Sequence, residues 1–246
     1  MKRERILLLA FAAMLTVGMT SCGKDDDSAG NNGNGTEQPT PTPTPGPGPQ
    51  PSDNWVDLGL PSGLLWAKCN LGANAPEEYG NYYAWGETTT KEVYYWSTYR
   101  YCIADGDGEL QTLTKYNTSS TYGTIDNLTT LQSADDAATA ALGSGARTPT
   151  KEEWEELINN TTVEWTTLNG VIGRMFTAAN GNTLFLPAAG VREGSELYGA
   201  GSYGDYWSSS LLTDYPYNAW YFYLDGSGAL DYSRYGGLSV RAVRQN

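Results

Sequence analysis

The chain has 246 residues, with 28 acidic against 15 basic side chains, a net charge of −13 and no histidine. Such a balance argues against a phosphate backbone as partner, which rewards basic patches, so no nucleic acid is expected. Without histidine the usual Ser-His-Asp triad is excluded, and three cysteines offer no full set of metal ligands.

The chain opens on "MKRER", a positive start, followed by the apolar run "ILLLAFAAMLTV". That run is shorter than the roughly 20 residues needed to span a bilayer and has the length of a secretory signal. It ends in "MTSC", which resembles a bacterial lipobox, so residues 1–21 read as a lipoprotein signal peptide and Cys22 as the lipidated residue. The following "GKDDDSAG" is similar to the acidic export signal of surface-exposed lipoproteins in the Bacteroides group. These resemblances imply a lipid-anchored outer-membrane protein facing the cell exterior. Up to residue 52 the chain is Gly, Asn, Thr and Pro, with "PTPTPTPGPGPQP" at its centre. It has almost nothing apolar to bury and reads as a semi-rigid polyproline stalk of about 3 Å per residue.

From Asp53 to Asn246 the pattern is that of a folded domain. "WVDLGL", the turn "PSG" and "LLWAKC" read as a hairpin, and "YGNYYAWGETT" as an aromatic strand broken by Gly86. Tyr94 to Thr130 reads mostly as loop. Within it "DGDGEL", Asp105 to Leu110, starts like a calcium loop, but the position that needs a bidentate Glu holds Tyr116, so no metal is expected. Two helices follow. "SADDAATAAL" carries Ser133 as its expected N-cap, and "TPTKEEWEELINN" has a Thr150–Glu153 capping box with Trp154, Leu157 and Ile158 on one face. The carboxylates of that helix suit its dipole and solvation better than general-acid work. Asn169-Gly170 and Asn180-Gly181 between apolar runs predict hairpins, and "TLFLPAAG" a buried strand ended by Pro187. "YWSSS", "NAWYFYLD" and "GGLSVRAVR" read as the last three strands. Cys69 and Cys102 are open to two readings, a disulfide in an oxidising compartment or two buried thiols.

"VDLGLPSGLLWAKCNLGA", "YGNYYAWGET", "ARTPTKEEWEELI", "FLPAAGVREG", "GDYWSSS" and "GLSVRAVR", in that order, resemble the Fibrobacter succinogenes major paralogous domain family. The resemblance implies an α+β, C-type-lectin-like fold of small twisted antiparallel sheets, two helices and long structured loops. It belongs to the branch that includes formylglycine-generating enzymes. Those enzymes hold copper with a cysteine pair near the C-terminus, and no cysteine follows Cys102 here. The Glu-Pro-Asn and Gln-Pro-Asp words of calcium-dependent sugar lectins are absent as well. The expectation is a non-enzymatic head with no cofactor.

Nine of the 18 tyrosines lie between Tyr198 and Tyr235. In "AWYFYLD" strand alternation assigns Trp220, Phe222 and Leu224 to the core and Tyr221, Tyr223 and Asp225 to the exposed face. Tyr, Ser, Gly and Asp together have the composition of an antibody paratope, in which tyrosine gives contact area at low entropy cost. The expected ligand-binding residues are Tyr198, Tyr203, Asp205, Tyr215, Tyr217, Tyr221, Tyr223, Asp231, Tyr232 and Tyr235, facing an extracellular glycan or protein. Positions where the family often carries Asn hold Tyr, Asp, Ser, Ala and Leu, all reachable by changing adenines. That pattern resembles the variable region of a diversity-generating retroelement. The alternative is a structural or assembly subunit whose aromatic face packs on a partner protein.

Overall fold

The computed structural model describes residues 54–104, 111–224 and 228–246. The signal, lipidation and stalk expectations, the "DGDGEL" loop and Asp225 lie outside those residues. The described chain is α+β, small sheets that are almost wholly antiparallel with two helices.

The expected first hairpin is present as β1 (Trp55–Asp57) and β2 (Leu65–Ala67), with Trp55 opposite Ala67. Its turn closes where Gly63 donates to the Leu60 carbonyl at φ +68°, a conformation glycine adopts without strain. Leu58, Leu60, Leu64 and Trp66 enter the core. The aromatic strand is β3 (Tyr82–Tyr83), and the chain turns at Gly86 with φ +80°.

Residues 94–130 are less loop-like than expected. They hold the hairpin β4 (Cys102–Ala104) and β5 (Gln111–Leu113), and Tyr94, Tyr99, Tyr101 and Tyr116 are buried. What orders them is Arg234, wholly buried. It donates to the Tyr99 hydroxyl and to the carbonyls of Lys115, Tyr116 and Pro216. Those partners come from far away in the chain, so local pattern could not reveal them. Cys69 and Cys102 are not joined to each other and are both half-buried rather than buried.

Helix α1 (Ala137–Leu142) begins later than expected. Asp136, not Ser133, caps it, and Ser133 sits in a single 3-10 turn. One Asp136 carboxylate accepts from the backbone N–H of Ala138, Thr139 and Thr148 and from the Thr148 hydroxyl, more than a serine hydroxyl could accept. β6 (Ala146–Arg147) leads to α2 (Lys151–Asn159), where the capping box is as expected: Glu153 N–H donates to Thr150 Oγ1 at 3.3 Å and Thr150 N–H to Glu153 Oε2 at 2.8 Å. Arg147 grips the same carboxylate with both terminal nitrogens, at 2.5 and 2.6 Å.

The three-stranded sheet β7 (Thr161–Leu168), β8 (Val171–Ala178) and β9 (Thr183–Pro187) follows, its first turn at Asn169-Gly170 with both φ angles positive. β10 (Val191–Glu193) and β11 (Glu196–Tyr198) pair with each other. β12 (Asp205–Leu211), β13 (Asn218–Tyr223) and β14 (Gly228–Ser233) form a meander. The expected last strand is two: β15 (Leu238–Ser239) joins the central sheet β14-β13-β12-β15-β3, while β16 (Val243–Arg244) completes β1-β2-β16-β6.

The central sheet has hydrophobic clusters on both sides. Tyr206, Phe222 and Leu224 pack with Trp154, whose ring stacks on Phe222 at 4.8 Å. Trp207, Ala219, Tyr221 and Leu238 belong to the other cluster.

Candidate ligand-binding face

Two of the expected contacts are buried, which corrects their assignment. Tyr221 is only 8% exposed and sits in the core with Trp207 and Ala219. A strand covered on both faces reads as an unbroken apolar run, and "WYFYL" is such a run; alternation describes a sheet with one wet face. Trp220, expected in the core, is half-buried instead, with the Lys151 ammonium 4.2 Å from its ring centroid. Asp205 is 3% exposed, and its Oδ1 has no hydrogen-bond partner. Burial pushes its carboxyl up to about 7.

The other expected residues reach the surface in three groups. Tyr223 lies opposite Asp205 on the neighbouring strand and is half-buried. Its ring is 6.2 Å from that of Tyr203 and 6.4 Å from that of Tyr221. The Tyr203 ring lies where a side chain on Gly199 would stand, so the left-handed Gly199 is what admits it. Next along the sheet, Tyr232 packs edge-on against Tyr221 at 5.9 Å and Trp207 at 6.5 Å. Its hydroxyl and that of Tyr235 donate to the two oxygens of one carboxylate, Glu193, at 3.4 and 2.9 Å. Tyr235 continues the aromatic line into Trp96, 5.1 Å away, and Tyr95, 6.2 Å away.

A third group is formed by Tyr215, 54% exposed, which meets Tyr217 at 6.0 Å; Tyr217 in turn packs edge-on against Tyr122. Burial raises the Tyr217 hydroxyl, and Asp231 and the neighbouring phenols add to the effect. Asp231 itself is exposed and accepts from the Asn218 side chain at 2.7 Å. Tyr198 stands on β11, half exposed, opposite Val191.

The face is therefore a run of half-exposed rings, Tyr203–Tyr223–(Tyr221)–Tyr232–Tyr235, buried at one point and held by Glu193 at another. Glu193, Tyr95 and Trp96 belong to it, and Tyr122 to the separate Tyr215–Tyr217 group, although the sequence shows no sign of this. They come from distant segments, and only the fold brings them to the tyrosine-rich end. Such edge-to-face rings offer flat apolar area with polar tips. Among the described residues, no group of three His, Cys, Asp or Glu is placed to hold a metal ion. Comparison of the chain with protein-family models, with curated proteins and with solved structures gives no match.

Proposed function

We propose that this chain is a surface-displayed lipoprotein whose C-type-lectin-like head binds an extracellular ligand without catalysis. The finer fold assignment rests on the six ordered sequence words and is consistent with small antiparallel sheets, two helices and long ordered loops. The observation that carries the binding reading is the row of half-exposed tyrosine rings on β13, β14 and the segments beside them, joined in its middle through the buried Tyr221. A buried ladder would hide those rings, and a surface with no task would present fewer of them. Tyr203, Tyr215, Tyr217, Tyr223, Tyr232 and Tyr235 are the contact residues in this reading, with Tyr198 and Asp231 at the margins. Tyr221 and Asp205 support them from below.

Leu230, 48% exposed and opposite Tyr221 in the strand register, favours a protein partner over a glycan, because a leucine adds contact area but no polar group for a sugar. It keeps the assembly-subunit reading alive beside the receptor reading. In the receptor reading the segment is a retroelement-diversified region, and its changeable positions are the half-exposed tyrosines.

The test compares wild type with Tyr215→Ser/Tyr223→Ser/Tyr235→Ser for binding to a glycan array and to immobilised cell-surface proteins. The variant is expected to keep its far-ultraviolet spectrum and lose at least about tenfold in affinity, as hot-spot aromatics do. A wild type that binds neither set, or a variant that binds equally, removes the reading. Sequencing the gene across one lineage separates the two versions. Substitutions at adenines clustered in the codons for residues 198–235, with a nearby template copy, mark a diversified receptor. An invariant gene and a fixed co-purifying partner mark a subunit.

A further inference from the structure

Away from the tyrosines, the sheet β1-β2-β16-β6 borders a cavity of about 590 Å³. This is within the usual range for small-ligand sites. The cavity exists because the sheet positions along it are small: Ala67 on β2 and Ala146 on β6, with Gly145 and Ala141 beside them. Among the described residues its lining includes no Asp or Glu, in a chain where acids outnumber bases by 28 to 15.

Among the described residues one charged side chain lines it, Arg244. Among the described residues its guanidinium makes no hydrogen bond and no ion pair, and its Nε is buried without a partner. Its recorded side-chain contact is the Trp55 ring, 4.7 Å away, which holds the planar group in place without using its donors. A second guanidinium, that of the wholly buried Arg241, lies under the adjoining chain. It donates to the Ala67 and Lys68 carbonyls and to Asn70 Oδ1, and it too meets no carboxylate. Two acids outside the lining, Glu78 and Glu77, act on Cys69 from a distance. Their own oxygens are engaged, Glu77 by Asn169 and Glu78 by the Asn74 N–H. The Arg244 Nε is closed off by the protein, so the two terminal nitrogens are the donors that an acceptor in the cavity can reach.

We infer that this cavity is a second ligand site, taking a small organic carboxylate on Arg244. The end of the guanidinium formed by its two terminal nitrogens matches the two oxygens of a planar carboxylate. Trp55 backs that edge, and the small residues at 67, 141, 145 and 146 leave room for the rest of the compound. The site is independent of the tyrosine face, so each reading stands or falls alone.

Cys69 lines the same cavity and Cys102 does not, so alkylation reports occupancy within one molecule. The full chain is treated with iodoacetamide, and modification of each cysteine is followed by peptide mass spectrometry. Acetate, benzoate and galacturonate are the probes, against acetamide, benzamide and galactose as neutral counterparts and inorganic phosphate as the other oxyanion. Ionic strength is held constant with chloride.

At about ten times its Kd, one or more of the carboxylates is expected to slow Cys69 about tenfold and leave Cys102 unchanged. Arg244→Gln is expected to abolish that protection. If that variant loses its native spectrum, Ala141→Glu replaces it; this position is exposed on α1 and would place a carboxylate at the rim to compete for Arg244. No protection by any of the three carboxylates overturns the inference, as does equal protection by the neutral counterparts or by phosphate alone. Protection that persists in whichever of the two variants folds overturns it too.

Discussion

Asp205 carries a carboxylate into a place built of rings. Tyr223 lies opposite it and Tyr221 is near enough to feel its charge, and desolvation alone holds its carboxyl near 7. Asp135 shows the opposite outcome at similar residue exposure. Burial would raise it, but donors from Lys115, Tyr101 and Tyr116 outweigh that and hold it below the ordinary carboxylate range. What separates the two is the number of donors, which residue type does not disclose. The folded protein keeps the Asp205 proton at pH values where the unfolded chain, with a carboxyl near 3.9, has lost it. Stability is therefore unpenalised below about pH 4, falls as the pH rises toward 7 and stays reduced above that. Asp205→Asn, neutral and of the same shape, is expected to melt with wild type at pH 4. At pH 8 it should be more stable by about 2–4 kcal/mol. Thermal melts at the two pH values decide it: a difference that does not change with pH would mean that the carboxylate has found a donor.

At the level of elements, what was legible in the sequence was local. The Thr150–Glu153 box and the Asn169-Gly170 turn use partners within four residues, so pattern alone places them, and α2 and the β7–β8 hairpin stand where expected. At α1 both Ser133 and Asp136 are residue types that cap, and the added bonds from Thr148 that hold Asp136 come from 12 residues away, beyond local pattern. The expected ligand face was misread at Tyr221 for the same reason on a larger scale, since the cover over it comes from segments across the chain. The two candidate caps can be told apart by substitution. Ser133→Ala, at an exposed turn position, is expected to change stability by less than about 0.5 kcal/mol. Asp136→Ala removes the acceptor of three backbone N–H groups and a hydroxyl and is expected to cost about 2–4 kcal/mol. Urea titration of both variants measures the difference, and equal costs would return the cap to Ser133.

Across the whole described fold, the last strands matter out of proportion to their length. β15 lies inside the central sheet between β12 and β3, and β16 lies between β2 and β6 in the other sheet. Arg241, on the turn that links them, ties the carbonyls of Ala67 and Lys68 and the Asn70 side chain to the same segment. Seven residues, 238 to 244, thus join two sheets and close the first hairpin against the end of the chain. Ending the chain after Gly237 strips β12, β3, β2 and β6 of an inner neighbour and leaves backbone donors and acceptors of both sheets without partners. Each such group costs about 1–3 kcal/mol when it stays buried, and a domain of this size has about 5–15 kcal/mol in total. The shortened chain is expected to show no cooperative thermal transition and no near-ultraviolet signal from the buried tryptophans. Ending it after Arg244 removes only the exposed Gln245 and Asn246 and is expected to leave the transition in place. A cooperative melt from the Gly237 form would show that the central meander and the first hairpin hold without their shared closing segment.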